Sequence, residues 1–527
     1  MSTLVALPVA RAMPWSKVAP PVPPPSASFT ELLTVTNVFM MVSTVTATLI
    51  LALVTYVTLA NLVRTSNPKL PPLINPKTKF GTSRLLTFLE FSASPLKMIT
   101  RLYADYGPVF TLSMFGQNIT LLVGPDATEP FFKSPDSVLS QSEVYGFMKP
   151  VFGEGVVYDC PARTRQTQFQ AMAFGLRSAR LRTYVEKISA EAEAFFRTRW
   201  SENSGTRDLL ADLSELTIMT ASRCLHGDDV RENMYEQVAD LYFDLDHGVT
   251  PLSVFWCNAP TEAHKKRDIA RKRMVELFGK VIKQRRMETP EEAKAKNRTD
   301  ILDVFMNTKY KDGSMMSDSE VTGLLIALLF AGQHTSSISS TWTAMFIAHH
   351  SSITDRVNAE QTKVMKDGRT LDYDAVNEMD LMHNCMREAL RLHPPLVLLM
   401  RKVLKDIKVN AGGRSYDIPK GDTVMISPSV GMRLESVFPK ADTFDPDRYG
   451  PGREEHKIPY AYLGFGGGMH SCMGNAFAFV QVKTILSVLF RHYDISLAAG
   501  KLPECDYEAM VVGPKGDCRV NYTKKAI

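Results

Sequence analysis

The chain has 527 residues, of which 45% are hydrophobic and 22% are charged. These values are ordinary for a globular protein and exclude disorder or a collagen-like repeat over most of the length. The formal net charge of +5, from 61 basic and 56 acidic residues, is too balanced to predict a nucleic-acid-binding protein. Seven scattered cysteines without a Cys-x-x-Cys pair form no disulfide scaffold and favour a reducing compartment.

The first 64 residues predict a proline-rich tail followed by a membrane anchor. Residues 1–30 hold five prolines between positions 20 and 25, which favours a disordered or polyproline-like segment. Residues 31–64 form the predicted transmembrane anchor, because no charge lies between Glu31 and Arg64 and such a run can cross ~30 Å of hydrocarbon as a helix. A cleaved signal peptide is the alternative, although the apolar run is long and starts late for one.

Charges and prolines after the anchor predict its orientation. Basic residues follow the anchor more densely than they precede it, and this positive-inside bias places the bulk of the chain in the cytoplasm. The proline-rich stretch 65–77 is predicted to be a stiff linker, and residues 78–527 are predicted to form one large domain. The basic run Lys265–Arg286 has two interpretations: a solvated helix face, or a contact with acidic lipid or an acidic redox partner.

The domain 78–527 is predicted to be mainly α-helical with small β-sheets, an α+β fold. Val109–Met114 and Ile119–Val123 predict a hairpin, and a second hairpin-like patch lies near 415–430. Strands and helices do not alternate as in a βαβ fold, and no glycine-rich phosphate loop follows a strand. Amphipathic patterns predict long helices near 178–202, 207–224, 262–287, 317–351 and 475–491.

The stretch from Phe465 to Gly474 is the sharpest chemical signal. Its three consecutive glycines let the backbone turn tightly just before a lone cysteine, Cys472. A helix that starts after Cys472 would favour a thiolate over a thiol. A structural cysteine after a turn is the alternative for the stretch taken alone. The full spacing, F-x-x-G-x-x-x-C-x-G, resembles the haem-ligating loop of the cytochrome P450 monooxygenases.

Two further elements follow that family's order. Glu388-Ala-Leu-Arg391 places an acid and a base on one helix face, a pair that alone would be surface decoration. Together with Arg448 it resembles the family's Glu–Arg–Arg triad, which implies a structural role for all three residues.

The other element, Ala331-Gly332-Gln-His334-Thr335, interrupts a long apolar helix that a capping box at Ser317 begins. A polar run in a buried helix often marks a functional site, and a polar surface patch is the alternative.

Within the family the chain resembles the sterol 14α-demethylases. His334 stands where most cytochromes P450 have an acid, and the stretch from Tyr145 to Asp159 resembles that branch's second signature. The resemblance extends from about residue 68 to the end of the chain. It implies a cytochrome P450 fold with one haem-thiolate domain behind a transmembrane helix.

The resemblance also implies the reaction and its partners. Three successive O2- and NADPH-dependent oxygenations would remove the 14α-methyl group of a sterol precursor, in sterol biosynthesis. The cofactor would be haem, iron protoporphyrin IX with a cysteine thiolate ligand. Electrons would come from NADPH–cytochrome P450 reductase, since the sequence shows no flavin module. We further expect a single-pass protein of the endoplasmic reticulum membrane that contacts membrane lipid, binds azole inhibitors and binds no nucleic acid.

Site roles follow from the resemblance. Cys472 is the expected axial ligand of the haem iron. Gly332, His334 and Thr335 would line the oxygen site, and an ungapped alignment pairs His334 with Asp246, for which an exposed helix charge is the alternative. The remaining expected haem contacts are Phe465, Gly468, His470, Gly474, Tyr145, Tyr158 and Arg401, while Arg163, Arg165 and Gln166 stay open as the additional propionate contact.

Sterol contacts are expected from apolar residues, for each of which core packing is the alternative. Phe147 is expected to select a sterol with one methyl group at carbon 4, because a phenyl ring fills more of the cavity than leucine. Two competing functions remain. One is a monooxygenase for a fatty acid or xenobiotic, and the other is a haem carrier or gas sensor without turnover. The expected sterol contacts are Phe147, Phe152, Ala331, Leu396, Leu398 and Met510.

Overall fold

The computed structural model of the chain describes Thr48 and residues 67–74, 77–78, 81–82, 89–91, 93–114, 117–296, 298, 300–507 and 509–526. The chain divides into two units, Met1–Asn67 and Pro68–Ile527, and the second carries everything that follows. The proline-rich tail 1–30 lies outside the described residues, as does the predicted anchor 31–64 apart from Thr48. Both therefore remain predictions.

Helices make up most of the described catalytic unit, as the sequence predicts. The longest ones begin and end within about three residues of the predicted ranges. In chain order the helices are α1 (Pro95–Tyr106), α2 (Pro125–Lys133), α3 (Ser142–Tyr145), α4 (Lys149–Phe152), α5 (Ala162–Gly175), α6 (Ser178–Arg199), α7 (Leu209–Ala221), α8 (Asp228–Asn233), α9 (Tyr235–His247), α10 (Pro251–Phe255), α11 (Glu262–Arg286), α12 (Pro290–Ala295), α13 (Ile301–Met306), α14 (Asp318–His349), α15 (Ser351–Val364), α16 (Tyr373–Asn377), α17 (Asp380–Leu392), α18 (Pro428–Gly431) and α19 (Asn475–His492).

Short 3₁₀ turns link several of these helices. They are Gly146–Met148, Val157–Asp159, Lys366–Gly368, Pro446–Tyr449, Glu455–Lys457 and Gly468–His470. A π-helical turn, Ser222–His226, extends α7 beyond the predicted end of that helix.

The strands form small sheets beside the helices. They are β1 (Leu73–Ile74), β2 (Lys77–Thr78), β3 (Gly81–Thr82), β4 (Val109–Met114), β5 (Gln117–Leu122), β6 (Leu139–Ser140), β7 (Ser204–Asp208), β8 (Leu399–Val403), β9 (Ile407–Ala411), β10 (Arg414–Ile418), β11 (Thr423–Ile426), β12 (Tyr493–Leu497), β13 (Glu504–Cys505), β14 (Pro514–Lys515) and β15 (Arg519–Lys524).

The largest sheet has the order β1-β4-β5-β11-β8-β6 and mixes parallel and antiparallel pairs. Its β4–β5 hairpin is the predicted first hairpin, in a register that pairs Val109 with Leu122. The second predicted hairpin consists of β9 and β10, with β11 beside β5 instead of in the hairpin. The remaining sheets are β9–β10, β12–β15–β7, β13–β14 and β2–β3.

Helix α14 runs through the largest apolar cluster. A capping box fixes its start: the backbone N–H of Glu320 donates to Ser317 Oγ, and Glu320 Oε2 accepts from the backbone N–H of Ser317 at 2.8 Å. Among the described residues, α14 is the helix with the length and hydropathy to cross a membrane, but most of it is buried in protein. It is therefore a core helix of this unit.

The C-terminal half of α14 is rich in hydroxyl groups, and most of them donate to a carbonyl oxygen of their own helix. Thr335, Ser339 and Thr343 donate to the carbonyl oxygens four residues earlier at 2.6 Å each. Ser340 and Thr341 do the same at 2.7 and 2.8 Å. A polar helix can therefore be buried, because its hydroxyl groups are hydrogen-bonded without any neighbouring side chain.

Candidate active site

The loop before α19 presents Cys472. Gly466 and Gly468 have φ of +70° and +61°, a conformation that glycine adopts without strain. A Cβ at Gly468 would collide with the carbonyl oxygen of Phe132, so this position needs glycine. The backbone N–H of Cys472 donates to the Phe465 carbonyl at 2.9 Å and closes the loop.

Cys472 differs from the other six cysteines, all free thiols, because it alone is exposed while the others are buried or half-buried. Partial desolvation raises the pKa of the Cys472 thiol, and the backbone N–H groups of Gly474 and Asn475 at the start of α19 oppose the rise. The start of α19 thus acts in the predicted direction, toward the thiolate, and burial acts against it. A coordinated iron would favour the thiolate further, since a coordinating thiol is deprotonated. A Cβ at Gly474 would lie 3.7 Å from Cys472 Sγ, so protein packing alone does not require glycine there.

Three of the expected haem contacts lie together. The rings of Tyr145 and Tyr158 stack with centroids 5.5 Å apart, and the Tyr145 hydroxyl accepts from the Met400 N–H at 3.3 Å. Arg401, the next residue, is buried over the ring of Phe131. Burial and the Tyr145 hydroxyl raise the pKa of Tyr158 to about 12, although Arg401 opposes the rise. Both tyrosines are therefore neutral hydrogen-bond donors at physiological pH.

His470 and Arg165 join this cluster through Asp136. His470 Nε2 lies 2.8 Å from Asp136 Oδ1, and Arg165 forms an ion pair with the other carboxylate oxygen. Arg165 is buried, whereas Arg163 and Gln166 are exposed. Of the three residues left open by the sequence, Arg165 is therefore the one that lies in the cluster. Sequence reasoning missed Asp136, which no local pattern marks.

The cluster fits the carboxylates of a haem. Arg401 and Arg165 bring two buried guanidinium groups together with the single carboxylate of Asp136, and Arg401 Nε has no hydrogen-bond partner. Such an unsatisfied buried donor beside excess positive charge suits a bound dianion. His470 lies two residues before Cys472, so one loop supplies both the thiol and part of this cluster.

Helices α9 and α14 bring the expected oxygen-site residues together. His334 Nε2 lies 3.0 Å from Asp246 Oδ1, and both side chains are half-buried. The Thr335 hydroxyl donates to the Ala331 carbonyl at 2.6 Å. A Cβ at Gly332 would meet open space, with no atom of the described residues within 4 Å. The contact between His334 and Asp246 is present, while its role in proton transfer stays a prediction.

A row of aromatic rings joins this region to the tyrosine pair. Phe152 stacks on Tyr158 at 6.1 Å and meets Phe330 edge-on at 5.9 Å. Phe330 packs in turn against Tyr242 at 4.9 Å. The row thus links the segment before α5 to α14 and α9. Sequence reasoning did not single out Phe330 or Tyr242, although Phe330 directly precedes the polar run of α14.

The other expected sterol contacts occupy different environments. Phe147 is buried and lies 6.3 Å from the Tyr145 ring. Leu396 and Met510 are exposed, at 45% and 49%. The N–H of Val512 donates to the Pro395 carbonyl at 2.8 Å, which places the two segments side by side. Ala331 is also exposed, whereas Leu398 is half-buried and packs against the apolar cluster between α1 and the largest sheet.

Comparison with known proteins decides the family. Residues 72–519 match the model of the family described as Cytochrome P450. The chain belongs to the cytochrome P450 family. The predicted fold and family are therefore confirmed, and with them a cysteine-ligated haem as cofactor and a redox partner as electron source.

Characterised relatives in plants and animals cover most of the chain. An obtusifoliol 14-alpha demethylase of Triticum aestivum is 44% identical over 86% of this chain and 99% of its own. A sterol 14-demethylase of Arabidopsis thaliana is 43% identical over 84% of this chain and 89% of its own. A lanosterol 14-alpha demethylase of Mus musculus is 39% identical over 81% of this chain and 83% of its own. The predicted sterol 14α-demethylase resemblance is confirmed by these relatives.

Among solved structures, the retinoic acid-bound cyanobacterial CYP120A1 superimposes with a TM-score of 0.71, covering 82% of this chain and 96% of its own. At 21% sequence identity, this likeness shows the fold alone.

The expected structural triad of this cytochrome P450 is assembled and fully buried. Glu388 accepts from Arg391 Nε and Nη2, both at 2.8 Å, and from Arg448 Nε at 3.2 Å. Tyr449 donates to the same carboxylate at 3.0 Å. Arg391 also donates to the Met432 carbonyl at 2.9 Å. The triad thus ties α17 to the irregular segment between α18 and the cysteine loop.

Proposed function

We propose that this cytochrome P450 is a sterol 14α-demethylase, which removes the 14α-methyl group of a sterol precursor in three successive oxygenations that use O2 and NADPH. The observation that carries the proposal is the pairing of His334 with Asp246 at 3.0 Å beside Thr335. A histidine in this place is the feature that the sequence shares with that branch. The names and coverage of the plant and animal relatives support the same conclusion.

A thiolate-ligated haem, when bound, supplies the activation of O2 and the oxidation of the methyl carbon. The chain's own residues hold and orient it. Cys472 binds the iron, and Arg401, Arg165 and His470 offer positively charged or polar donors to the propionates. Tyr145 and Tyr158 add neutral hydroxyl donors.

Proton delivery falls to α9 and α14. Asp246 is 27% exposed, so solvent reaches its carboxylate, which in turn contacts His334 Nε2 at 3.0 Å. Because the Thr335 hydroxyl donates its own proton to the Ala331 carbonyl, its lone pairs accept hydrogen bonds on the site's side. Each oxygenation consumes two protons and two electrons per O2, and these three residues guide the protons.

A sterol offers mostly apolar surface, so shape must orient it. The aromatic row that includes Phe152 and Phe330 provides a rigid wall. Buried Phe147 at one end of the row is the proposed selector for a sterol with one methyl group at carbon 4. Relatives named for obtusifoliol in Triticum aestivum and Sorghum bicolor support this choice.

Location and partners complete the proposal. The predicted anchor 31–64, with no charge between Glu31 and Arg64, would hold the enzyme in the endoplasmic reticulum membrane as a single-pass protein, with the catalytic unit on the cytoplasmic side. NADPH–cytochrome P450 reductase would supply the electrons. Azoles would bind as inhibitors, an expectation that rests on the resemblance to the sterol 14α-demethylases.

The test uses the full-length protein with an NADPH–cytochrome P450 reductase. The ferrous–CO spectrum should show thiolate ligation, obtusifoliol should displace the haem water in an optical titration, and turnover should release formate and the 14-demethylated sterol. Sterol-independent oxidation of a fatty acid or xenobiotic would indicate another monooxygenase. NADPH consumption that no substrate stimulates would indicate a haem carrier or sensor.

A further inference from the structure

The turn between Phe152 and Tyr158 joins the two sides of the site. Phe152 belongs to the proposed sterol wall and Tyr158 to the cluster that fits the haem propionates. The turn between them is strained: Gly153 and Gly155 have φ of +100° and +73°, and Val157 has φ of +50°. A β-branched residue at positive φ is a true outlier, which persists only where the surroundings hold it.

Arg271 of α11 holds the Phe152 end of the turn. Its Nη2 donates to the Phe152 carbonyl at 2.9 Å and to the Ser319 carbonyl at 3.1 Å. A Cβ at Gly153 would collide with this guanidinium group, and a Cβ at Gly323 would collide with the Phe152 carbonyl. The guanidinium group of Arg271, on α11, therefore links the end of α4 to the start of α14 at a point where the backbones are close together.

Arg271 is a buried cation for which the described residues provide no carboxylate as an ion-pair partner. Arg271 is 8% exposed, and burial, with no contribution from an acidic side chain, is what shifts its pKa. Its Nε has no hydrogen-bond partner among the described residues. Burial lowers the pKa of Arg271 to about 10, so the group stays charged at physiological pH. A chain that needed only apolar packing here would not retain such a group, because burying an unpaired charge is costly.

Gln168 of α5 holds the other end of the same turn. Its Oε1 accepts from the Val157 N–H at 3.0 Å, and its Nε2 donates to the Gly155 carbonyl at 2.7 Å. The amide is fully buried and also reaches the Tyr310 hydroxyl at 3.3 Å. Gln168 thus provides the hydrogen-bond partners of two backbone groups in the strained turn, the Val157 N–H and the Gly155 carbonyl.

We propose that Arg271 and Gln168 are positioning residues with separate targets, Arg271 setting the sterol-facing ring of Phe152 and Gln168 setting the haem-facing Tyr158. The sterol part rests on the proposed function. Neither residue belongs to the motifs that the sequence resemblance singled out. Arg271 and Gln168 bond opposite ends of one turn. Loss of Arg271 should therefore disturb sterol binding, and loss of Gln168 should disturb haem binding.

The test compares five full-length variants, three at Arg271 and Gln168 and two matched controls. Arg271→Met should raise the half-saturating sterol concentration about tenfold, equivalent to ~1.4 kcal/mol, with haem content unchanged. Arg271→Lys should recover part of this loss, because an ammonium group keeps the charge but lacks the planar fork. Gln168→Leu should speed haem transfer to an excess of apomyoglobin about tenfold, while its haem-loaded fraction binds sterol within about twofold of wild type. Exposed neighbours on the same helices give the matched controls Arg273→Met and Gln170→Leu.

Several results would overturn the inference. One is an unchanged sterol affinity in Arg271→Lys and Arg271→Met, or in Arg271→Lys alone if the methionine variant does not fold. Another is a result in which the Arg271 and the Gln168 variants both lose haem retention and sterol affinity in the same proportion. If both losses follow the fall in the thermal unfolding midpoint, the substitutions destabilise the protein in general. If wild type itself binds no sterol, the proposed function fails, and the haem-transfer result still decides the Gln168 half.

Discussion

Arg391→Leu is the substitution whose cost can be worked most directly from the structure. The Glu388 carboxylate accepts five hydrogen bonds, from Arg391 twice, from Arg448, from Tyr449 and from the Asp445 N–H. The substitution removes two of these five and withdraws the only guanidinium group that bonds both carboxylate oxygens. Glu388 is fully buried, so no water replaces the lost donors.

We expect the free energy of unfolding to fall by ~3–5 kcal/mol, the usual cost of breaking a buried ion pair from one side. Native domains are stable by only ~5–15 kcal/mol, so little haem-loaded protein should accumulate. Adding Glu388→Gln to Arg391→Leu removes the buried negative charge that loses its main partner in the single variant. The double variant should therefore be less destabilised than the sum of the two single variants, by ~0.5–3 kcal/mol.

The assay is chemical denaturation together with the haem-loaded fraction from the ferrous–CO spectrum. Arg369→Leu is the matched control, since it breaks an ion pair with Glu378 on the surface and should leave the denaturation midpoint nearly unchanged. A stable, haem-replete but inactive Arg391→Leu protein would refute the structural role. Strict additivity in the double variant would refute the argument from stranded charge.

Four further substitutions test the site. Cys472→Ala should abolish the red-shifted Soret band of the ferrous–CO complex, and a surviving band would mean another ligand. Asp246→Ala should slow turnover about 10²-fold while leaving the optical sterol titration nearly unchanged; normal turnover would eliminate the relay through His334. Phe147→Leu should relax a ~10- to 200-fold preference for obtusifoliol over lanosterol, measured by competition, and equal turnover of both sterols by wild type would remove Phe147 as selector. Arg165→Met should weaken haem retention more than Gln166→Leu does, and the reverse order would place the propionate contact on Gln166.

Features that lie within one short stretch of sequence were predictable. The glycines before Cys472, the capping box at Ser317 and the first hairpin each depend on neighbouring residues, so spacing alone indicates their geometry. The triad and the partner of His334 required a family resemblance, because the residues that meet there come from distant segments. Asp246 and His334, for example, lie on separate helices that only the folded structure brings to 3.0 Å.

Arg165 and Gln166 are neighbours in sequence, yet Arg165 is buried and Gln166 is exposed. Successive residues of a helix point about 100° apart, since a turn has 3.6 residues. A shift of one position therefore exchanges a buried side chain of α5 for an exposed one. Asp136 could not be predicted from the sequence, because it is an ordinary acid in a loop. Only the packing of the folded chain brings it between Arg165 and His470.

The two halves of helix α14 are buried in different ways. Val321 to Leu329 is almost wholly buried and apolar, so it packs against the apolar side chains of neighbouring helices. In the second half, Thr335, Ser339 and Thr343 donate to carbonyl oxygens of their own helix, so these hydroxyl groups need no polar partner from another element. His334, in the segment between the halves, differs from both, because its ring contacts Asp246 of α9 at 3.0 Å. A polar side chain whose partner lies on another helix serves neither kind of burial, and this is the physical reason for placing the proposed oxygen site in this segment.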